Sequence, residues 1–182
     1  MDLMTKLENA KKVLDYARGL EKVFAVKLIE TRDIVVDERV RFQCSHSGCR
    51  EYGKRLMCPP YVPEVDDFKK VLSNYIMGIL ISVKGSSEDV FRLAGLLHEA
   101  VYSTEKKAFS MGFPFAAGLI GGPCSLCEKC PTGENAKCIK REKARPSMEA
   151  MGIDVIKTCK KVGMEIEFKE GEVTWTGLVL LD

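Results

Sequence analysis

The sequence has no long apolar run, almost no net charge and no repeated unit. Its longest strongly apolar stretch, Tyr75 to Val83, is far too short to cross a bilayer. Lys and Arg number 28 against 26 Asp and Glu, so no global field drives the chain toward nucleic acid or acidic membranes. A nucleic-acid reading also lacks interleaved aromatics and any recognised module. The opening "MDLMTKLENAKK" alternates charge with apolar residues and lacks the unbroken apolar core of a signal peptide. Low-complexity tracts and linkers are missing too. A soluble cytoplasmic protein is therefore expected, with neither a membrane nor a nucleic-acid partner. With 182 residues, 46 % of them hydrophobic, the chain supports one sizeable core, and residues 1–182 are read as a single domain.

What the sequence does hold is cysteine, eight in all. In a reducing compartment clustered thiols more often mean metal or redox chemistry than structural disulfides. The sharpest cluster is "GGPCSLCEKCPTGENAKC", Gly121 to Cys138. Cys124, Cys127 and Cys130 are each separated by two residues, and Cys138 follows. Thiolate is a soft ligand suited to iron–sulfur clusters, zinc and copper. Two cysteines at this spacing serve zinc or iron; three in a row favour a cubane cluster, as in bacterial ferredoxins. Gly121 and Gly122 are read as cofactor-binding positions, where the backbone could approach and donate amide hydrogen bonds to cluster sulfurs. Four thiols in one polar, glycine-bearing loop argue against buried free cysteines.

The second cluster is "CSHSGCREYGKRLMCPPY", with Cys44, Cys49 and Cys58. Three thiols leave one corner of a four-iron cluster without a thiolate. His46, Cys138, Cys159 or an outside ligand are the candidates for it. Cys159 shares a helical face with Val155 and Val162, so a small buried hydrophobe explains it better than a ligand. His98 lies in an apolar helical stretch and is read as packed. Tyr52, Lys54 and Tyr61 flank the thiols; loop polarity and packing explain them more simply than acid–base roles.

Apolar spacing predicts helices over the first seventeen residues or so, over "EVDDFKKVLSNY", over "SSEDVFRLAGLLHEAVYSTEKKAFSMG", and over "IDVIKTCKKVG" with Asp154 as N-cap. Strands are expected at "KVFAVKLIE", "VVDERVRF", "IMGILISVKG" and "PFAAGLIGG", and a hairpin at "EIEFKEGEVTWTGLVLL" turning near Gly171. The fold class is α/β or α+β: a mixed sheet with helices packed on it and a C-terminal β-hairpin. Each cysteine group follows an expected strand. If those strands run parallel, both thiol loops emerge at one sheet edge and lie side by side.

At "YGKRLMCPPYVP", "GGPCSLCEKC" and "ARPSMEAMGIDV" the sequence resembles the cysteine-rich predicted metal-binding proteins of domain of unknown function 2284. The resemblance runs from about Phe24 to the final strands. All seven cysteines of the two groups fall where the family pattern has them, and Cys159 does not. It implies metal binding and an anaerobic or redox setting, and supplies neither a reaction nor the metal.

The residues leave three functions open. The first is an iron–sulfur protein with one or two [4Fe–4S]-type clusters, passing electrons to a protein redox partner or sitting in a larger complex. Lys137, Lys140, Arg141, Lys143 and Arg145 could then greet an acidic partner, although a solvated face is the simpler reading. The second is an enzyme using the three-thiol cluster for dehydration or sulfur transfer. The third is a zinc-stabilised interaction module.

Overall fold

The C-terminal strand lies inside the sheet. In the computed structural model, which describes residues 2–133 and 135–182, four strands run β1 (Val23–Glu30), β2 (Met77–Ser86), β3 (Ala117–Leu119) and β4 (Glu172–Leu181). Their spatial order is β1-β2-β4-β3, with every neighbouring pair antiparallel. The α+β class is as expected. The parallel strands proposed to carry the two thiol loops are not formed.

Two expectations fail for definable reasons. "VVDERVRF" does not form a strand; residues Glu38–His46 are helix α2. Asp37 caps it by accepting the Arg39 N–H at 3.0 Å. Glu38, Arg39, Arg41 and Gln43 are good helix formers once that cap exists. The alternation misled because Val36 makes an isolated bridge with Ile153 just ahead of the helix. The C-terminal hairpin is also absent. One edge of β4 is paired by β2 along its whole length, which takes the place a hairpin partner would have on that side, and the other edge pairs with β3 at Leu178–Leu180. Residues 165–168 form no strand, and Phe168 stays 80 % exposed.

Helices cover both sheet faces. On one face α1 (Leu3–Arg18) and α4 (Val90–Ser110) pack against Ile79, Ile81, Val83 and Val179. Asp2 starts α1 by accepting the Thr5 N–H at 3.0 Å, and Ala10, Val13, Leu14 and Ala17 supply its buried stripe. On the other face Leu80, Leu178 and Leu180 meet α3 (Val65–Leu72), α5 (Val155–Lys161) and a 3₁₀ turn at Glu149–Met151. Asp154 caps α5, as expected. Burying each large side chain of these layers contributes about 1.5–3 kcal/mol. Cys159 is fully buried in the second layer and His98 is buried with Nε2 2.7 Å from the Lys143 carbonyl. Both take the packed roles expected of them.

The cationic segment is partly structural. Arg145 grips Glu105 of α4 through two hydrogen bonds, and the same carboxylate accepts the Gly118 N–H of β3 at 3.2 Å. Lys143 pairs with Glu99, and both cations lie over the Tyr102 ring. Lys137, Lys140 and Arg141 remain exposed. The Arg145 and Glu105 side chains are only 17 % and 15 % exposed, so the pair is largely desolvated. Glu105→Ala leaves a guanidinium and the Gly118 N–H without their acceptor. Its expected cost is about 3 kcal/mol, the low end for breaking a buried pair, read from the urea midpoint at unchanged slope.

Candidate metal centre

Two loops bring seven cysteines to neighbouring hollows. The first begins on α2. Arg41 and Cys44 are three residues apart and share a helical face. Arg41 is buried and donates to the Pro63 and Ala150 carbonyls and to Glu64 Oε1 at 2.9 Å. It thereby fixes α2 against the 3₁₀ turn and sets Cys44 beside that turn. Turns then carry the chain through Cys49 to Cys58: Gly53 N–H donates to the Pro59 carbonyl at 2.9 Å and Cys58 N–H to the Arg55 carbonyl at 3.0 Å.

Cys44, Cys49 and Cys58 line a cavity of about 140 Å³ with Glu51, Tyr52 and Glu149. Cys58 is buried, Cys44 half-buried and Cys49 exposed. Burial pushes the Cys58 thiol up to about 12, helped by the neighbouring Cys49, Glu51 and Cys44 and opposed by Arg55. Burial also raises Cys44, with Cys49 and Glu149 adding to it.

The second loop extends from β3. The Met148 N–H donates to the Ile120 carbonyl at 2.9 Å, and the Ile120 N–H to the Pro146 carbonyl at 2.9 Å. The chain then passes so close to β4 that side chains are excluded. A Cβ on Gly121 would stand 2.7 Å from the Thr176 carbonyl oxygen, and one on Gly122 2.7 Å from the Trp175 ring. Gly122 also has φ +70°, a region that favours glycine. Cys124, Cys127, Cys130 and Cys138 line the second hollow, about 10 Å³, with Arg55 and Leu56. All four are half-buried. Burial raises the Cys124 thiol, partly countered by the Leu126 N–H.

The loops touch. Arg55 Nη1 donates to the Cys127 carbonyl at 2.8 Å while its Nε holds Glu51 at 2.6 Å. The Leu56 N–H donates to Cys130 Sγ at 3.4 Å. The two groups therefore do lie side by side, although the first leaves a helix rather than a strand. The amides that reach sulfur are those of Leu56 and Leu126; the Gly122 N–H turns instead toward the Glu149 carboxyl.

These residues suit a thiolate-bound metal group: the thiols gather in two sets, amides point at sulfur, and a cation lies between. Among the described residues no three His, Cys, Asp or Glu donors are drawn in tightly enough to close on a single ion.

The chain belongs to the family described as predicted metal-binding protein (DUF2284), which matches residues 27–181. No curated protein and no solved structure matches it. Among the described residues no helix is long and apolar enough to cross a membrane.

Of the other flanking residues, Tyr52 lines the larger cavity, Lys54 is exposed, and Tyr61 donates to the Gly53 carbonyl at 3.4 Å. His46 is exposed and stacks on Phe42 at 4.9 Å between ring centroids. Sequence reasoning missed Arg41, Arg55 and Glu149. For Glu149 a signal was present, since a lone acid in "SMEAM" interrupts an apolar run, and buried Glu requires a partner.

Cys159 supplies a control. Burial raises its thiol from about 9 to about 11. The folded state thus favours the protonated thiol, so its contribution is complete below pH 9 and is lost as pH rises through 11. Relative to Cys159→Ala, the wild-type chain is expected to lose up to about 2–3 kcal/mol more across that window, measured by urea unfolding at each pH. Parallel curves for the two proteins would contradict the core assignment.

Proposed function

We propose that the chain is an iron–sulfur protein. It holds one [4Fe–4S]-type cluster on Cys124, Cys127, Cys130 and Cys138 and a second on Cys44, Cys49 and Cys58. Its role is electron transfer to a protein partner, or cluster holding within a redox assembly. The observation that carries this reading is the pair of adjacent cysteine-lined hollows joined through Arg55. A single zinc ion would need its four sulfurs at about 2.3 Å from one point. When bound, a cluster supplies one-electron redox chemistry. The protein's own part is to hold thiolates, offset their charge with Arg55 and donate amide hydrogen bonds to sulfur. The exposed Lys137, Lys140 and Arg141 offer a cationic rim for an acidic partner.

One observation favours a second reading, catalysis at the three-thiol site. Its cavity of about 140 Å³ exceeds the space of about 10 Å³ at the four-thiol site and has the Tyr52 phenol on its wall. Dehydration or sulfur transfer would fit such a place. Zinc in both sites, with a purely binding role, is the third.

Anaerobic purification with iron, sulfide and zinc analysis plus EPR decides among metals. The expected protein is brown, with iron and sulfide in matching amounts; a colourless protein holding zinc alone overturns the cluster reading. Cys127→Ser is expected to remove about one cluster's worth of iron, and unchanged iron and spectra would remove the four-thiol assignment. Timed air exposure should bleach the protein in two phases, the faster one missing from Cys58→Ser. A single phase in the wild type would contradict the inequality of the two sites.

A further inference from the structure

The three-thiol site needs a fourth donor, and the fold narrows the choice. His46 is exposed, stacked on Phe42 and absent from the cavity wall. Cys138 lines the other hollow, and Cys159 is sealed in the core against the sheet. Two carboxylates remain on the wall, Glu51 and Glu149. Glu51 is already committed to Arg55, at 2.6 Å.

Glu149 differs. It opens the 3₁₀ turn that α2 packs against, within electrostatic reach of Cys44. Ser147 and the Gly122 backbone favour its ionised form, against the burial that raises it. Its Oε2 is shut off from solvent and has no hydrogen-bond partner among the described residues. A buried carboxylate oxygen without a partner costs about 1–3 kcal/mol or more, so its persistence calls for an explanation. Metal ligation is one that also accounts for its position on the cavity wall. Carboxylate oxygen is an established ligand type beside thiolate in metal sites.

The geometry points to Glu149 as the fourth ligand of the metal group held by Cys44, Cys49 and Cys58. This rests on the iron–sulfur reading for the identity of the metal, though not for the role of the residue. The two sites then differ in chemistry. One has four thiolates, and the other has three thiolates and an oxygen donor that is harder and more readily displaced.

The test compares the full-length wild type with Glu149→Ala, Glu149→Gln and Glu149→Cys, each made anaerobically and checked for folding by circular dichroism. Iron, sulfide and zinc are counted, and EPR spectra are recorded before and after mild oxidation. Ala and Gln variants are expected to lose about one iron per chain on oxidation and to gain the signal of a three-iron cluster. Glu149→Cys is expected to keep the full iron count with a shifted spectrum and slower bleaching in air. Wild-type iron counts and spectra in both Ala and Gln variants overturn the assignment. If the wild type instead carries zinc and no sulfide, the cluster reading falls and zinc takes over as the probe. A loss of about one zinc per chain in Glu149→Ala, restored in Glu149→Cys, then upholds Glu149 as a ligand; unchanged zinc overturns it. A wild-type chain that takes up neither metal, even after reconstitution with iron and sulfide or with zinc, overturns both.

Discussion

One guanidinium joins the two thiol loops. Arg55 reaches the Cys127 carbonyl with one nitrogen and Glu51 with another, and its positive charge acts on Cys58 in one group and on Cys130 and Cys124 in the other. Arginine suits this place because its planar fork can serve two acceptors in different directions while staying charged. Lysine would offer a point charge and could not satisfy both loops in the same way. The neighbouring Leu56 N–H then reaches Cys130 Sγ, so one short segment of the first loop supplies both a cation and an amide to the second.

The sheet sets where the contact can occur. β4 lies between β2 and β3, and its buried stretch Gly177–Leu181 packs on both faces. The chain leaving β3 must therefore slide along β4 before it can turn away. Gly121 and Gly122 permit that approach, with Thr176 and Trp175 beneath them. Trp175 is itself held by its Nε1–H on the Val90 carbonyl at 3.1 Å. A rigid floor of this kind lets a loop without regular structure present four thiols in a repeatable arrangement. Glu105 and Arg145 tie the far end of the same loop back to α4.

Much of this was legible in the sequence, and the parts that were not share a cause. Helices α1, α3, α4 and α5 carry their own apolar stripes, and α1 and α5 their own capping aspartates, so local pattern was sufficient. The thiol spacing was likewise local. "VVDERVRF" failed because a single capping bond from Asp37 outweighed an alternation that extended only a few residues. The hairpin failed because strand pairing is decided by which edges are free, a property of the whole sheet. The roles of Arg41 and Arg55 were not legible, because nothing in a sequence says which carbonyls will lie within reach. The expectation that the thiol loops would meet held for a reason other than the one given: contact through side chain and amide, not parallel strand ends.

The electrostatics of the larger cavity tie metal binding to folding. Cys44, Cys58 and Glu149 are all shifted toward their protonated forms by burial; Glu149 adds to the shift at Cys44, and Cys44 to that at Cys58. Only Arg55 among the groups acting on Cys58 opposes that trend. A chain without metal therefore keeps Cys44 and Cys58 as neutral thiols near pH 7. Metal binding reverses the balance, because a multivalent cation favours thiolate and carboxylate at short range and displaces their protons. The same burial makes the free Cys44 and Cys58 thiols poor nucleophiles. Cys49 is the exception, exposed where its partners are not. Any attack by oxygen or chelator on a metal group held here should then begin at the Cys49 corner.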